Sequence, residues 1–202
     1  MSAREEILRS IKARKPASQP RPVTYARAVK DDPVERFIAC AEAANATVHV
    51  LDDLADVPAR VSEILRARNL AAIIHMPKDG GLGSLQWNCL EVSHSAPGSD
   101  DAAVSLAPFA VAETGTLVFS SGEGHPASWH FRPGFEIAVL RAEDVFPDLE
   151  SVFGRLRAME WPRTVNLVTG PSRTADIEQT LELGAHGPKA LAILLIRARP
   201  TG

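Results

Sequence analysis

The stretch that decides the fold is Thr47-Val-His-Val-Leu-Asp-Asp-Leu-Ala-Asp-Val-Pro-Ala-Arg-Val-Ser-Glu-Ile-Leu-Arg-Ala-Arg-Asn-Leu-Ala-Ala-Ile-Ile-His75. Its two ends, residues 47–51 and 71–75, are short and rich in β-branched or small apolar residues, a composition that predicts strands. The segment between them predicts a helix over residues 55–68, and both connections are only a few residues long. A strand, a helix and a second strand joined in this way predict a βαβ unit, which implies a parallel sheet covered by helices.

The alternation of helices and strands continues on both sides of this unit. A helix is predicted before it, over residues 34–44. Further elements are predicted after it: a strand at residues 136–140, a helix at 146–159, and strands at 165–169 and 190–196. The predicted fold class is therefore α/β, with an open and mainly parallel sheet that has helices on both faces.

The middle of the chain, residues 104–121, is typical of β-structure throughout. Two apolar runs, residues 110–112 and 116–120, flank the tripeptide Glu113-Thr114-Gly115. Because glycine accepts positive φ, this spacing predicts a hairpin that turns at Thr114 and Gly115.

Length, composition and net charge restrict the classes of protein to which this chain can belong. At 202 residues the chain is long enough for one well-buried core, and its 45% hydrophobic and 23% charged residues are typical of a soluble globular protein. The formal net charge of −3 provides no overall positive field, so binding of nucleic acid is not expected. No apolar run approaches the roughly 20 residues that cross a bilayer, and the N-terminus lacks the apolar core of a signal peptide. We therefore expect a cytoplasmic protein.

The N-terminal region is predicted to lie outside the main domain, as a short helix followed by a linker. Ser2 can cap a helix over residues 2–15 whose apolar residues share one face, and the stretch from Pro16 to Pro22 has three prolines in seven residues, so it predicts a linker. The helix is either a solvated extension or a docking element for a partner. The expected division is residues 1–30 for the N-terminal helix and linker, and 31–202 for the main domain.

Cysteine content restricts the redox chemistry. The only cysteines are Cys40 and Cys89, which are far apart and outside any CxxC pairing. A four-thiolate iron–sulfur site cannot be built from two residues, so we expect no cofactor in this chain.

The segment from Asn166 to Glu178 suggests an anion site. An apolar strand runs into Gly170 and Pro171, and a helix is predicted to begin near Ser172 to Thr174. Free N–H groups at such a helix start, with the Arg173 guanidinium beside them, would bind a phosphate or a carboxylate. The alternative is that Ser172, Thr174 and Asp176 only cap a surface helix.

Two loops remain open to more than one interpretation. The loop from Lys78 to Ser84 is either a plain turn or a phosphate cradle, although it lacks the spacing of nucleotide-binding motifs. The loop from Gly122 to Pro133 could bring Glu123, His125 and His130 to a metal, or His125 and Arg132 to an anion. Its spacing matches no established zinc pattern, so no metal is predicted, and a cover over an active site or a solvated excursion fits equally well.

Three motifs give the chain a family resemblance. The segments Gly170-Pro-Ser-Arg-Thr-Ala-Asp-Ile-Glu178, Leu181-Glu-Leu-Gly-Ala-His-Gly-Pro188 and Ala112-Glu-Thr-Gly-Thr116 resemble the motifs of the LUD-domain (lactate utilisation) family over about residues 30–198. The lack of cysteine clusters makes the chain similar to the small members rather than to a larger sister subunit that adds a ferredoxin-like part. The resemblance implies a fold like that of ribose-phosphate isomerases and CoA transferases. It also implies a role in oxidising L-lactate to pyruvate beside partner subunits that hold the iron–sulfur clusters.

The resemblance also implies candidate site residues. Glu113 lies in a setting similar to the turn on which CoA transferases carry a nucleophilic glutamate, so it is the candidate catalytic residue, and the alternative is a structural carboxylate. Such a residue would fit a stand-alone acyl or CoA transferase or a sugar-phosphate isomerase, so whether the chain is an enzyme is left open. His186 either lines the pocket or bonds to the backbone. The implied anion-binding or substrate-binding residues are Thr114, Gly115, Gly170, Ser172, Arg173, Thr174, His186 and Gly187.

Overall fold

The computed structural model describes residues 3–14, 32–78, 81–122, 126–175, 181–183 and 187–197, without the side chains of Ser128 and of residues 173–175 and 181–183. Within these residues the α-helices are α1 (Ala3–Ala13), α2 (Pro33–Ala43), α3 (Val57–Ala67) and α4 (Leu149–Arg157). Helix α2 begins where the Asp32 carboxylate accepts a hydrogen bond from the Val34 N–H at 2.9 Å. Pro33 then occupies the first turn, where no N–H is needed.

The strands of the described residues form three sheets. The main sheet contains β1 (Thr47–Leu51), β2 (Ile73–His75), β3 (Glu91–Ser93), β4 (Ala102–Ala107), β7 (Phe135–Arg141) and β12 (Ala190–Ile196). The second sheet contains β5 (Phe109–Val111), β6 (Thr116–Ser120), β8 (Val145–Phe146) and β9 (Val165–Val168). The third is a short pair of β10 (Arg173–Ala175) and β11 (Leu181–Leu183).

The main sheet confirms the predicted α/β class. Its strand order is β1-β12-β7-β4-β2-β3, and every neighbouring pair in it is parallel. The long strands β12 and β7 pair inside the sheet, with Ala190 opposite Phe135 and Ile196 opposite Arg141. The closer likeness to ribose-phosphate isomerases and CoA transferases stays a prediction.

Helices cover both faces of the main sheet. Side chains that alternate along a strand point to opposite faces, and on one face Val139 packs in a cluster with Val61 and Leu65 of α3. On the other face Leu140 packs in a cluster with Phe37 of α2. The sheet is therefore buried on both sides, as its almost continuous apolar strands require.

The second sheet lies on the same side as α2. Its order is β8-β5-β6-β9, and β5 and β6 pair antiparallel with Phe109 opposite Val118. This pairing confirms the predicted hairpin, and Gly115 has the expected positive φ of 65°. Leu117 packs toward the main sheet, whereas Val118 packs in a separate cluster against Val152 of α4. The fold is therefore layered as α3, main sheet, α2 with the second sheet, and α4.

Several predicted boundaries were wrong by a few residues. The strand expected from residue 71 begins at Ile73. The helix expected from residue 146 begins at Leu149, because Val145 and Phe146 pair with β5 as strand β8. Asp148 then caps the helix, since its carboxylate accepts a hydrogen bond from the Ser151 N–H at 2.7 Å.

The helix predicted to begin near Ser172 to Thr174 was also wrong. Arg173 to Ala175 form strand β10, which pairs antiparallel with β11, Arg173 lying opposite Leu183. The Ser172 N–H donates to the carbonyl oxygen of Pro188 at 2.8 Å. Pairing with β11 has overridden the local preference of serine and threonine for helix caps. Among the described residues 171–175 there is therefore no helix start, and the predicted binding of an anion here loses the helix on which it was based.

The N-terminal helix is separate from these clusters. All the described residues of α1 are exposed, including Ile7, Leu8 and Ile11. The predicted linker from Pro16 to Pro22 lies outside the described residues, and the division at residue 30 stays a prediction. Among the helices in the described part of the chain, none is both long and apolar enough to cross a membrane.

Candidate functional site

The fold brings the motif segments together beside the C-terminal half of α2. Gly115 has positive φ, and a Cβ atom there would clash with the backbone of Cys40 and Ala41. Gly170 also has positive φ, and a Cβ atom there would clash with the Ala44 carbonyl. Both glycines were predicted to bind a ligand, and the structure gives each a packing role: only a residue without a side chain lets the backbone approach α2 this closely.

A series of three hydrogen-bonded threonine hydroxyls joins the motif at residues 112–116 to Thr169, the residue directly before the motif that begins at Gly170. Thr114 Oγ1 lies 2.7 Å from Thr116 Oγ1, which in turn lies 2.6 Å from Thr169 Oγ1. Thr116 is buried, whereas Thr114 and Thr169 are exposed. Three hydroxyls carry three hydrogens, and the two bonds between them use two. When the buried Thr116 accepts from one neighbour and donates to the other, the third hydroxyl hydrogen stays at an exposed end of the series and can be donated to an anion.

The two halves of the C-terminal motif also meet. Besides the hydrogen bond from Ser172 to Pro188, a Cβ atom on Gly187 would lie 3.1 Å from the Ser172 Cβ. Ser172 is half-buried and Gly187 is buried. The chain entering β10 and the chain leading to β12 are therefore in direct contact beside Gly170.

Glu113 lies on a turn that is held from two directions. Its N–H donates to the carbonyl oxygen of Pro147 at 3.2 Å, and its own carbonyl oxygen accepts a weak bond from Cys40 Sγ at 3.6 Å. The residue is half-buried. The backbone that carries this carboxylate is thus fixed by α2 and by the segment between β8 and α4.

Several predicted site residues cannot be placed as side chains. Arg173 and Thr174 belong to β10 by their backbone, but their side chains lie outside the described set, and so does the whole of His186. In the Lys78 loop, Leu82 is completely buried and its carbonyl oxygen accepts a bond from Trp87 Nε1 at 3.1 Å, so the loop is anchored in the core. Binding of an anion by Arg173, Thr174 and His186, or by the Lys78 loop, remains a prediction.

A buried polar cluster was missed by the sequence reasoning. Glu136 on β7 is 1% exposed, and its Oε1 lies 2.9 Å from Ser105 Oγ and 2.7 Å from His130 Nδ1. The His130 ring stacks on Phe119 with a centroid distance of 3.7 Å. The available signal was a single charged residue inside the apolar strand that begins at Phe135, because such a residue is rarely buried without partners.

This cluster accounts for one residue of the loop from Gly122 to Pro133. His130 bonds to Glu136 instead of facing solvent, whereas Glu123 and His125 lie outside the described residues. No group of three histidine, cysteine, aspartate or glutamate side chains that could hold a metal occurs in the described part of the chain. Cys40 is half-buried and Cys89 is exposed.

Comparison with known proteins gives a family match over most of the chain. The LUD domain model matches residues 34–196. Lactate utilization protein C of Halalkalibacterium halodurans is 31% identical over 104 residues, which are 49% of this chain and 45% of that protein. The uncharacterized protein YkgG of Escherichia coli is 25% identical over 163 residues, 77% of this chain and 70% of that one. The chain spans about half the length of the lactate-utilisation relatives that it matches.

A solved structure has the same fold. A DUF162 family protein from Deinococcus radiodurans superposes with a TM-score of 0.62 and covers 86% of this chain and 99% of its own. The two sequences are 18% identical, so the likeness concerns the fold alone.

Proposed function

Because the chain belongs to the LUD domain family, we propose that it is a component of a cytoplasmic L-lactate utilisation system and acts with partner subunits that hold iron–sulfur clusters. The observation that carries the proposal is that matched relatives from several bacteria are called Lactate utilization protein C, at 29–32% identity. The family model also extends over the three motifs that meet beside α2.

The need for partners follows from the chemistry of the reaction. Oxidation of lactate to pyruvate breaks a C–H and an O–H bond and releases two electrons and two protons, which an acceptor has to take up. This chain has two cysteines, and Cys40 lies beside the Glu113 turn while Cys89 is exposed elsewhere. Four thiolates are needed for the usual iron–sulfur cluster, so the electron carrier is assigned to the partners.

A small carboxylate or phosphate is the ligand that suits the motif site. The exposed hydroxyls of Thr114 and Thr169 end the series of hydrogen-bonded threonines, and the end that keeps its hydrogen can donate it to a carboxylate or phosphate oxygen. Ser172 lies in the adjoining segment. This arrangement replaces the helix start that the sequence had predicted as the anion site.

The alternative function is that of an enzyme in its own right, an acyl or CoA transferase or a sugar-phosphate isomerase that uses Glu113. The observation in its favour is the fixed backbone of the Glu113 turn, because a nucleophile needs a defined position relative to its substrate.

Growth and co-purification test the proposal. Deleting the gene in the source organism should abolish growth on L-lactate but not on pyruvate, and supplying the gene on a plasmid should restore it. Affinity purification of the tagged chain from lactate-grown cells should recover iron-containing proteins that carry lactate-dependent reduction of an artificial electron acceptor. Normal growth on lactate without the gene would refute the role in lactate utilisation. A growth defect without recovery of iron proteins would refute only the partnership.

A further inference from the structure

A second concave site lies at the other end of the β5–β6 hairpin from Glu113. The hairpin closes at residues 112–115, whereas Phe109 and Ser120 stand at its open end and line a cleft of about 650 Å³. At about 3.4 Å per residue along a strand, this end is more than 10 Å from the turn. The remaining wall comes from the end of α4 and from the segment that leads to β9, including Leu156, Met159, Trp161 and Arg163.

The size and lining of the cleft suit a small molecule. Sites for small ligands usually measure about 300–1,000 Å³ and have mostly apolar walls with a few polar groups. Phe109 and Leu156 supply apolar wall here, and Ser120 and Arg163 supply polar groups. The cleft shares no residue with the three hydrogen-bonded threonines, so it is a separate site.

Trp161 provides a surface on which a ring can stack. Its ring stacks on Phe153 with a centroid distance of 6.2 Å and an interplanar angle of 19°, so Phe153 supports its position. The residue is nevertheless 53% exposed, and Met159 next to it is 56% exposed. Large apolar side chains that are grouped at the rim of a cleft are a common mark of a binding site.

One side chain of each charge lies on the rim of the cleft. Glu160 and Arg163 both line the cleft. Yet among the described residues neither has a salt bridge within 4.0 Å. A guanidinium can bind a phosphate or a carboxylate through two parallel N–H···O hydrogen bonds. A carboxylate can accept hydrogen bonds from the N–H groups of a ligand.

From this combination we propose that the cleft binds a nitrogen-containing aromatic ring that carries one anionic group, the chemistry of a mononucleotide. The ring stacks on Trp161, ring or amino N–H groups donate to Glu160, and the anionic group pairs with Arg163. This site is independent of the lactate-utilisation proposal and needs no residue of the motif site.

Calorimetric titration of the full-length chain with AMP and with FMN tests the proposal and distinguishes a purine from a flavin ring. Adenosine and ribose 5-phosphate serve as the two halves of the AMP probe. The variants are Trp161→Leu and Arg163→Gln. Matched controls are Phe131→Leu, at an exposed aromatic residue that is not among the lining residues, and Arg157→Gln, at an exposed arginine at the end of α4 that is not among them either.

The two variants should separate the two halves of the ligand. Arg163→Gln should weaken AMP binding about tenfold or more and leave adenosine binding unchanged. Trp161→Leu should weaken both AMP and adenosine about fivefold or more and spare ribose 5-phosphate. Absence of binding by both AMP and FMN, or equal losses in the control variants, would overturn the proposal. Self-association that Trp161→Leu abolishes, without ring binding, would overturn it in favour of docking of a second copy.

Discussion

His130 Nδ1 and Ser105 Oγ both bond to the same oxygen of Glu136, at 2.7 and 2.9 Å, while the other oxygen, Oε2, is buried and has no hydrogen-bond partner among the described residues. Because a carboxylate oxygen only accepts, Nδ1 of His130 carries the hydrogen in this bond. The cluster joins the connection after β6 to β4 and β7. It therefore fixes that connection over the buried face between the two sheets.

Removing the shared acceptor should destabilise the protein more than removing one donor. Glu136→Ala leaves Ser105 and His130 buried without an acceptor, and it opens a cavity, so we expect a loss of about 3–5 kcal/mol in the free energy of unfolding. Ser105→Ala should cost only about 1 kcal/mol, because His130 keeps its bond. Urea denaturation followed by circular dichroism measures both values.

The amide variant Glu136→Gln is the control for charge. Its side-chain oxygen can still accept both hydrogen bonds, so it should cost less than Glu136→Ala by about 1 kcal/mol or more. Equal losses in the two variants would mean that the ionised state, and not the bonding to one oxygen, holds the cluster together.

Gly115 and Gly154 should respond in opposite directions to the same substitution. Gly115→Ala places a Cβ atom against the backbone of α2 at a positive φ, so a loss of at least about 2 kcal/mol is expected. Gly154 lies in α4, and a Cβ atom there meets nothing within 4 Å, so Gly154→Ala should stabilise the protein by about 0.5–1 kcal/mol. Thermal denaturation of both variants is the test, and a neutral Gly115→Ala would contradict the close approach to α2.

His49 should make stability depend on pH. Burial lowers the pKa of His49, and the positive charges of Arg60 and Arg68 lower this pKa further, whereas Glu63 raises it. Below the ordinary value of about 6.5 the unfolded chain therefore binds more protons than the folded chain, so stability should fall as the pH falls.

Two variants test the sign of this effect. His49→Gln should flatten the fall in the urea midpoint between about pH 7 and about pH 5. Glu63→Gln removes the charge that raises the pKa, so it should make the fall steeper. An unchanged slope in His49→Gln would assign the pH dependence to other groups.

The sequence predicted best where one strong local pattern met no competition. Strands β1 and β12 were predicted with the bounds that the structure has, because short runs of β-branched and apolar residues that end at a charged residue have few alternatives. The hairpin was predicted because Gly115 marks its turn.

The same reasoning failed where the outcome depended on hydrogen-bond partners in other elements of the fold. Ser172 resembles a helix cap locally, but the following residues pair with β11, which begins at residue 181. Glu136 is the first residue of the strand predicted over residues 136–140, and its role depends on His130 and Ser105, which reach it only in the fold. Hydrogen-bond partners of this kind are not visible in periodicity or composition.

Among the three hydrogen-bonded threonines, we expect the buried one to contribute to stability and the two exposed ones to contribute to ligand binding. Thr116 is buried at the centre, so Thr116→Val should cost about 1–2 kcal/mol in the free energy of unfolding. Thr114 and Thr169 are exposed, so their valine variants should change stability by less than about 0.5 kcal/mol yet weaken binding of lactate or phosphate several-fold. Thr164→Val is the control, because Thr164 is exposed and does not belong to the three hydrogen-bonded threonines. If calorimetry shows the same affinity for lactate and phosphate in all four variants, the threonine hydroxyls do not bind the ligand.

Chemical trapping at Glu113 distinguishes the two proposed functions, a partner subunit and a transferase. In a CoA transferase the carboxylate attacks an acyl-CoA carbonyl, the CoA thiolate leaves, and that thiolate then attacks the glutamyl carbonyl, which releases the free acid and forms a thioester on the enzyme. Borohydride reduces such a thioester to a primary alcohol, which mass spectrometry locates. We expect no reduced residue at Glu113 after incubation with acyl-CoA donors.

We also expect Glu113→Gln to support most of the growth on L-lactate, because the amide keeps the size of the side chain and the backbone bonds to Pro147 and Cys40 hold the turn in place. Glu143→Gln, at an exposed glutamate elsewhere, is the matched control. The abundance of each variant in cells has to be measured, since a destabilised turn lowers the amount of protein and imitates lost catalysis. A reduced residue at Glu113, together with lost growth at normal abundance, would establish the transferase and reject the partner-subunit role, because the trapped adduct identifies the carboxylate as a nucleophile and the lost growth shows that it is needed.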